Sequence, residues 1–102
     1  RFTTVSARRM MNRQELERAQ SHSVYNCAEL ERSRRCGCFH CESVFTASAV
    51  LHWTDKSRAQ GEWTALCPSC GIDAVIGDAA GFGMSPVFLR EMKDRWFGSG
   101  RA

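Results

Sequence analysis

The sequence has no run approaching eighteen apolar residues, and its N-terminal stretch RFTTVSARR has no apolar centre. The first absence excludes a membrane-spanning helix, and the second gives no support for secretion. Prolines number only two, and neither proline nor glycine falls between Met10 and Arg32, so nothing in that segment interrupts a helix by itself. No Asp-His pair occurs, and no asparagine follows Asn26, which removes the residue pattern that HNH-type nucleases place around their cysteine pairs. The glycine-rich stretch GDAAGFGM at 77–84 is not followed by Lys-Ser or Lys-Thr and lacks G-x-G-x-x-G spacing. A phosphate cradle therefore has little support there, and small residues that let a loop pack closely are the simpler reading. Internal repeats and low-complexity stretches are absent apart from two cysteine pairs.

What is present is a 102-residue chain of ordinary composition, long enough for one domain with a modest core. At this size roughly 60 to 70% of the unfolded surface becomes buried, so a covalent or metal staple contributes appreciably. The formal charge of +3 is uneven. Residues 1–35 carry eight arginines against four glutamates, whereas residues 36–102 carry six bases against seven acids. This asymmetry points to an acidic partner or to a solvated helix surface.

Six cysteines dominate the chemistry. Cys38-Phe-His-Cys41 and Cys67-Pro-Ser-Cys70 are C-x-x-C pairs separated by twenty-five residues. Each pair can fold as a tight knuckle with backbone amides aimed at the sulfurs, and together they offer the tetrahedral set that suits one structural Zn²⁺. A disulfide framework fits this spacing less well than a zinc site, and a reducing, cytoplasmic setting is expected. Gly71, directly after the second pair, suits a backbone turn that a side chain would obstruct. One ambiguity stays open in the spacing. Cys36 can replace Cys38 as ligand through a wider C-x₄-C loop, or it can be a buried thiol beside the site. His40 reads as an outward-facing side chain at the knuckle tip, and Cys27 as a small apolar residue in a helix.

The element pattern is mixed. Residues 1–9 are expected to be disordered. Helix formers dominate residues 10–35, which predict one long N-terminal helix or two with a break near Ser21 to Ser23. Its weak stripe of Leu16, Ala19, Gln20, Tyr25, Ala28 and Leu30 suggests docking through one narrow face. Residues 36–98 are expected to form the zinc-knuckle part of the same single domain, closed by a C-terminal helix. Thr46 as N-cap predicts a short helix from Ala47 to about Trp53, with Phe45 and Val50 as a hydrophobic staple. EWTAL and IDAVI predict two short strands. Ser85 with Pro86 opens the last helix, whose stripe of Phe88, Leu89, Met92 and Trp96 must be buried, and Phe97-Gly98 ends it. The expected fold is therefore a small α+β domain, treble-clef or zinc-ribbon-like, with a long N-terminal helix and a C-terminal helix.

The stretches CGCFHC and CPSCGIDAVIGD, the gap between them and the closing helix ending in Trp-Phe resemble a little-characterised group of small bacterial cytoplasmic zinc-finger-like proteins. The usual motifs of that group are CGCFYC and CPxCGIDSVIGD. The upstream SHSVYNCAELERS is similar as well, so the resemblance spans about residues 21–97. It implies zinc at Cys38, Cys41, Cys67 and Cys70, with Cys36 a feature of the group. His40 and Ala74 depart from the usual Tyr and Ser. The resemblance implies no particular activity.

Three functions are weighed on these residues. A non-catalytic interaction module, binding a protein or a second copy of itself, is the leading expectation. Nucleic-acid binding is the alternative, resting on Arg32, Arg34 and Arg35 beside the first knuckle with Phe39, His40, Trp53 and Trp63 nearby. A nuclease-like enzyme comes third, because His22, Asn26, Asp73 and Asp78 would have to converge and nothing in their spacing requires it.

Overall fold

A computed structural model of the chain describes residues 11–98, and the disorder expected for residues 1–9 lies outside the described residues. Asn12 opens the first helix, α1 (Arg13–Gln20), through a reciprocal capping box. Its side-chain oxygen accepts from the Glu15 amide at 2.8 Å, while the Glu15 carboxylate accepts from the Asn12 amide at 3.0 Å. That pair satisfies two of the amides a helix start leaves bare.

Of the two readings for the N-terminal segment, the single long helix is not what forms; the pair broken near Ser21 to Ser23 forms instead. After α1 the chain makes a 3-10 turn at Ser21–Ser23 and resumes as a five-residue helix, α2 (Cys27–Glu31). The break needs no glycine or proline. The Ser21 and Ser23 hydroxyls donate back to the carbonyls of Arg18 and Gln20 at 2.6 and 2.7 Å, the local competition that makes serine a weak helix residue. Tyr25 then turns the chain with a left-handed φ of 52°, its amide held by the Thr64 hydroxyl at 2.8 Å. Asn26 is buried and joins three segments. Its amide group donates to the carbonyls of His22 and Val75 at 3.0 and 2.8 Å, and its oxygen accepts from the Ala65 amide at 3.1 Å.

Two small antiparallel sheets follow. The first has three strands in the order β2-β1-β5, with β1 at Cys36–Cys38, β2 at Val44–Phe45 and β5 at Val75–Gly77. Cys36 faces Phe45 on one side and Gly77 on the other, and Cys38 faces Val75. The second sheet pairs β3 (Trp53–Thr54) with β4 (Thr64–Ala65). The helix expected from Ala47 to Trp53 shrinks to one 3-10 turn at Ala47–Ala49. Thr46 does not cap it; its hydroxyl lies 2.9 Å from that of Ser48. Trp53 is instead used as a strand opposite Ala65, so pairing across the hairpin prevails over the local helix signal.

The last helix, α3 (Pro86–Phe97), forms as the sequence indicates, with the Ser85 hydroxyl accepting from the Phe88 amide at 3.1 Å and Gly98 as C-cap. Phe88, Leu89 and Met92 are buried, and Trp96 is partly buried. Glu91, which no apolar stripe predicts, is buried beside them. One core gathers Leu16 and Ala19 of α1, Leu30 of α2, the three-stranded sheet and α3. The narrow stripe read as a docking face is thus used internally at Leu16 and Leu30, while Tyr25 and Ala28 stay exposed. No helix of the described residues is long and apolar enough to cross a membrane.

Candidate metal centre

Cys38 ends β1, and the chain turns back on itself over the next five residues to reach β2. The Glu42 amide donates to the Cys38 carbonyl at 2.7 Å and the Cys38 amide donates to the Ser43 carbonyl at 3.0 Å. The second cysteine pair repeats this pattern. The Gly71 amide donates to the Cys67 carbonyl at 2.9 Å, and the Cys67 amide donates to the Ile72 carbonyl at 2.9 Å. In both turns the residue after the second cysteine has a left-handed φ, 68° at Glu42 and 82° at Gly71. Glycine takes that conformation without steric cost. Glu42 is held in it from outside, since its carboxylate binds Arg90 at 3.1 Å and Lys93 at 3.7 Å on α3. The first knuckle is thereby tied to the last helix.

The two turns face each other and bring four sulfurs together. The Sγ atoms of Cys38, Cys41, Cys67 and Cys70 all lie within 4.8 Å of one another. Cys38 and Cys70 approach to 3.7 Å, as do Cys41 and Cys67, and all four are free thiols. A tetrahedral cage of thiolates around zinc, with bonds of about 2.3 Å, has sulfur–sulfur edges near 3.8 Å. The donor set and its spacing therefore fit one tetrahedral metal ion, with every ligand supplied by the protein.

Backbone amides are arranged for thiolates rather than thiols. His40 donates to the Cys38 sulfur at 3.3 Å, and Ser69 and Cys70 donate to the Cys67 sulfur at 3.3 and 3.5 Å. Burial opposes ionisation of Cys67. The amides of Cys70 and Ser69, with the hydroxyl of Ser43, outweigh it and bring the thiol down to about 7. Burial dominates at Cys38 and Cys70, whose thiols are pushed up despite their amide partners. A metal would compensate that cost, because its charge favours the ionised sulfur.

Cys36 lies outside the cluster. It is fully buried in β1, and burial with the nearby Asp78 charge raises its thiol to about 11. The wider C-x₄-C reading is thus not the geometry adopted. Cys27 is buried near Glu31 and likewise separate. His40 does not face outward. Its ring stands edge-on against Phe97 with centroids 4.7 Å apart, and its Nδ1 is shielded from solvent without a hydrogen-bond partner. Ser43, which the spacing did not single out, places its hydroxyl 3.1 Å from the Cys41 sulfur. Aligning the two pairs residue by residue would have exposed Glu42 as the counterpart of Gly71 and Ser43 as that of Ile72.

Of the four residues considered for catalysis, three are engaged in structural contacts and Asp73 is exposed. His22 Nδ1 lies 3.0 Å from the Glu29 carboxylate, and Asn26 is the buried junction described above. Asp78 accepts from the backbone amides of Arg34 and Arg35 at 2.9 and 3.3 Å. The side chains of Arg32, Arg34 and Arg35 are exposed, with Arg32 donating to the Ala28 carbonyl at 3.3 Å. A second group of cations sits on aromatic rings, Arg58 at 4.0 Å over Tyr25 and Lys56 at 5.2 Å over Trp63. No family model matches the chain, and no curated protein or solved structure matches it. The four-cysteine cluster is consistent with a zinc-finger-like protein.

Proposed function

We propose that this chain is a small, zinc-stabilised, non-catalytic interaction module of the cytoplasm. The observation that carries the reading is the set of four sulfurs within 4.8 Å of one another, two of whose edges are 3.7 Å. Four thiolates favour zinc among the common divalent ions, and a full protein ligand set offers no position for a substrate water. The sulfurs hold the metal, and the amides of His40, Ser69 and Cys70 spread the charge. The dispersal of His22, Asn26 and Asp78 into structural contacts supports a non-catalytic role. A zinc-ribbon-like assignment is preferred to a treble clef, because both C-x-x-C pairs sit in matching turns and α3 begins only at Pro86.

The partner is proposed to be a protein or a second copy of the chain. Val24 and Tyr25 before α2, with Arg32, Arg34 and Arg35 after it, supply exposed apolar and basic surface for it. Nucleic acid is the second reading, favoured by the cations stacked on Tyr25 and Trp63. Purification at native salt, with metal analysis and identification of co-purifying material, tests both parts. A metal-free protein with an unchanged melting curve would end the zinc reading. Replacing Arg32, Arg34 and Arg35 together by Ala separates the partners. Salt-sensitive oligonucleotide binding lost in that variant supports nucleic acid, and an assembly that survives it supports a protein surface.

A further inference from the structure

The two sulfur pairs that approach to 3.7 Å each join an enclosed cysteine to one that reaches the surface. Cys38 and Cys67 are buried, Cys70 is half-buried and Cys41 is exposed. Cys41 meets Cys67 across the two knuckles, and Cys38 meets Cys70 in the same way. The Ser43 hydroxyl touches both members of the first pair, 3.1 Å from the Cys41 sulfur and 3.7 Å from that of Cys67. Sulfur that binds a metal does so as thiolate, and oxidants select thiolates that are accessible and lie beside a second sulfur. Of the six cysteines, Cys41 meets both conditions best. Cys27 and Cys36 are buried and lie outside the cluster.

We propose that Cys41 is a site of oxidative modification, at which its sulfur reduces a hydroperoxide and Cys67 resolves the product as a disulfide across the knuckles. In the first step the Cys41 sulfur attacks a peroxide oxygen. An S–O bond forms, the O–O bond breaks, and the far oxygen leaves as an anion that takes a proton from water. In the second step the Cys67 sulfur attacks the Cys41 sulfur. The S–S bond forms, the S–O bond breaks, and hydroxide leaves. The two thiolates lose two electrons in all, and the hydroperoxide gains them. Two sulfurs then remain, half of a tetrahedral set, so the metal is released. This proposal rests on the zinc reading and adds to it a reaction that takes the domain apart.

Hydrogen peroxide added to the full zinc-loaded chain tests this. Released zinc is followed with a chromogenic indicator, and disulfides are mapped by mass spectrometry after the remaining thiols are alkylated. One zinc per chain should leave as a Cys41–Cys67 disulfide forms. Cys41→His keeps four tetrahedral ligands, because histidine also serves in structural zinc sites. It should slow release by about tenfold or more, whereas Cys70→His should stay within about twofold of the parent. A first disulfide inside one knuckle, or equal slowing in the two variants, would overturn the proposal. If either variant fails to hold zinc, the order of disulfides in the parent decides alone. A chain purified without metal would bring down the zinc reading and this proposal together. A zinc-loaded chain that keeps its metal in peroxide would bring down the proposal only.

Discussion

Cys36 and Cys38 differ by two positions in one strand and have opposite surroundings. Both are buried in β1, but only Cys38 joins the sulfur cluster, while Cys36 lies outside it. Zinc content measured on purified variants should therefore stay near one ion per chain in Cys36→Ser and fall in Cys38→Ser. Retention by the second and loss by the first would reassign the ligand. Cys36→Ser should still cost about 1 to 3 kcal/mol in denaturant unfolding, because a hydroxyl would be buried among apolar groups. Asn26 is the other residue on which much depends. Asn26→Ala would strip partners from the Val75 carbonyl and the Ala65 amide in the interior. A loss of about 3 kcal/mol or more is expected from chemical denaturation, since each stranded buried group costs roughly 1 to 3 kcal/mol. An effect under 1 kcal/mol would mean that water replaces the side chain.

At the scale of elements, the knuckles and β5 depend on two glycines for different reasons. Gly71 needs its left-handed backbone, and nothing lies within 4 Å of where a Cβ would be. Gly71→Ala should therefore lower stability by only about 1 to 2 kcal/mol through backbone strain and leave the ligands in place. Gly77 has ordinary backbone but no room, because an added Cβ would stand 2.8 Å from the Ser33 Cβ and 2.9 Å from Leu30 Cδ2. Gly77→Ala should push α2 off the sheet and destabilise by more than Gly71→Ala does; parallel melting curves with metal content read out the order. On α3, Met92 is fully buried, so Met92→Ala is expected to cost about 2 to 5 kcal/mol. Its partly buried neighbour Trp96 should cost less than a fully enclosed tryptophan would.

Across the whole molecule, the four-sulfur cluster and the apolar core are contiguous. Cys38 and Cys67 belong to the buried cluster that contains Leu16, Leu30, Leu89 and Met92, and Glu42 ties the first knuckle to α3. Chelation should therefore unfold the chain rather than loosen two turns. Structural zinc sites can contribute about 10 kcal/mol or more, comparable with the whole stability of a small domain. Near-ultraviolet circular dichroism of the three tryptophans should collapse as the metal leaves and return on adding zinc. A chelated protein that keeps its aromatic signal would show that the core stands without the metal.

The features that the sequence determined by itself are those written within a few residues. The two C-x-x-C pairs, Gly71 after the second, and Ser85-Pro86 before α3 each specify a local turn or cap whose partners lie three to five positions away. The strand at Thr64–Ala65 falls inside EWTAL, and β5 begins at Val75, one residue before the end of IDAVI, and runs on to Gly77. Tertiary structure decided the rest. The break near Ser21–Ser23 is one of two local readings, but the entry into α2 is fixed by Asn26, whose side chain reaches partners 39 and 49 residues away. Trp53 left its helix for a hairpin, Glu42 took a left-handed backbone for the sake of α3, and His40 turned in against Phe97. Local propensities are worth tenths of a kcal/mol per residue, whereas a buried hydrogen bond or packed ring is worth about one or more, so distant partners prevail wherever they meet.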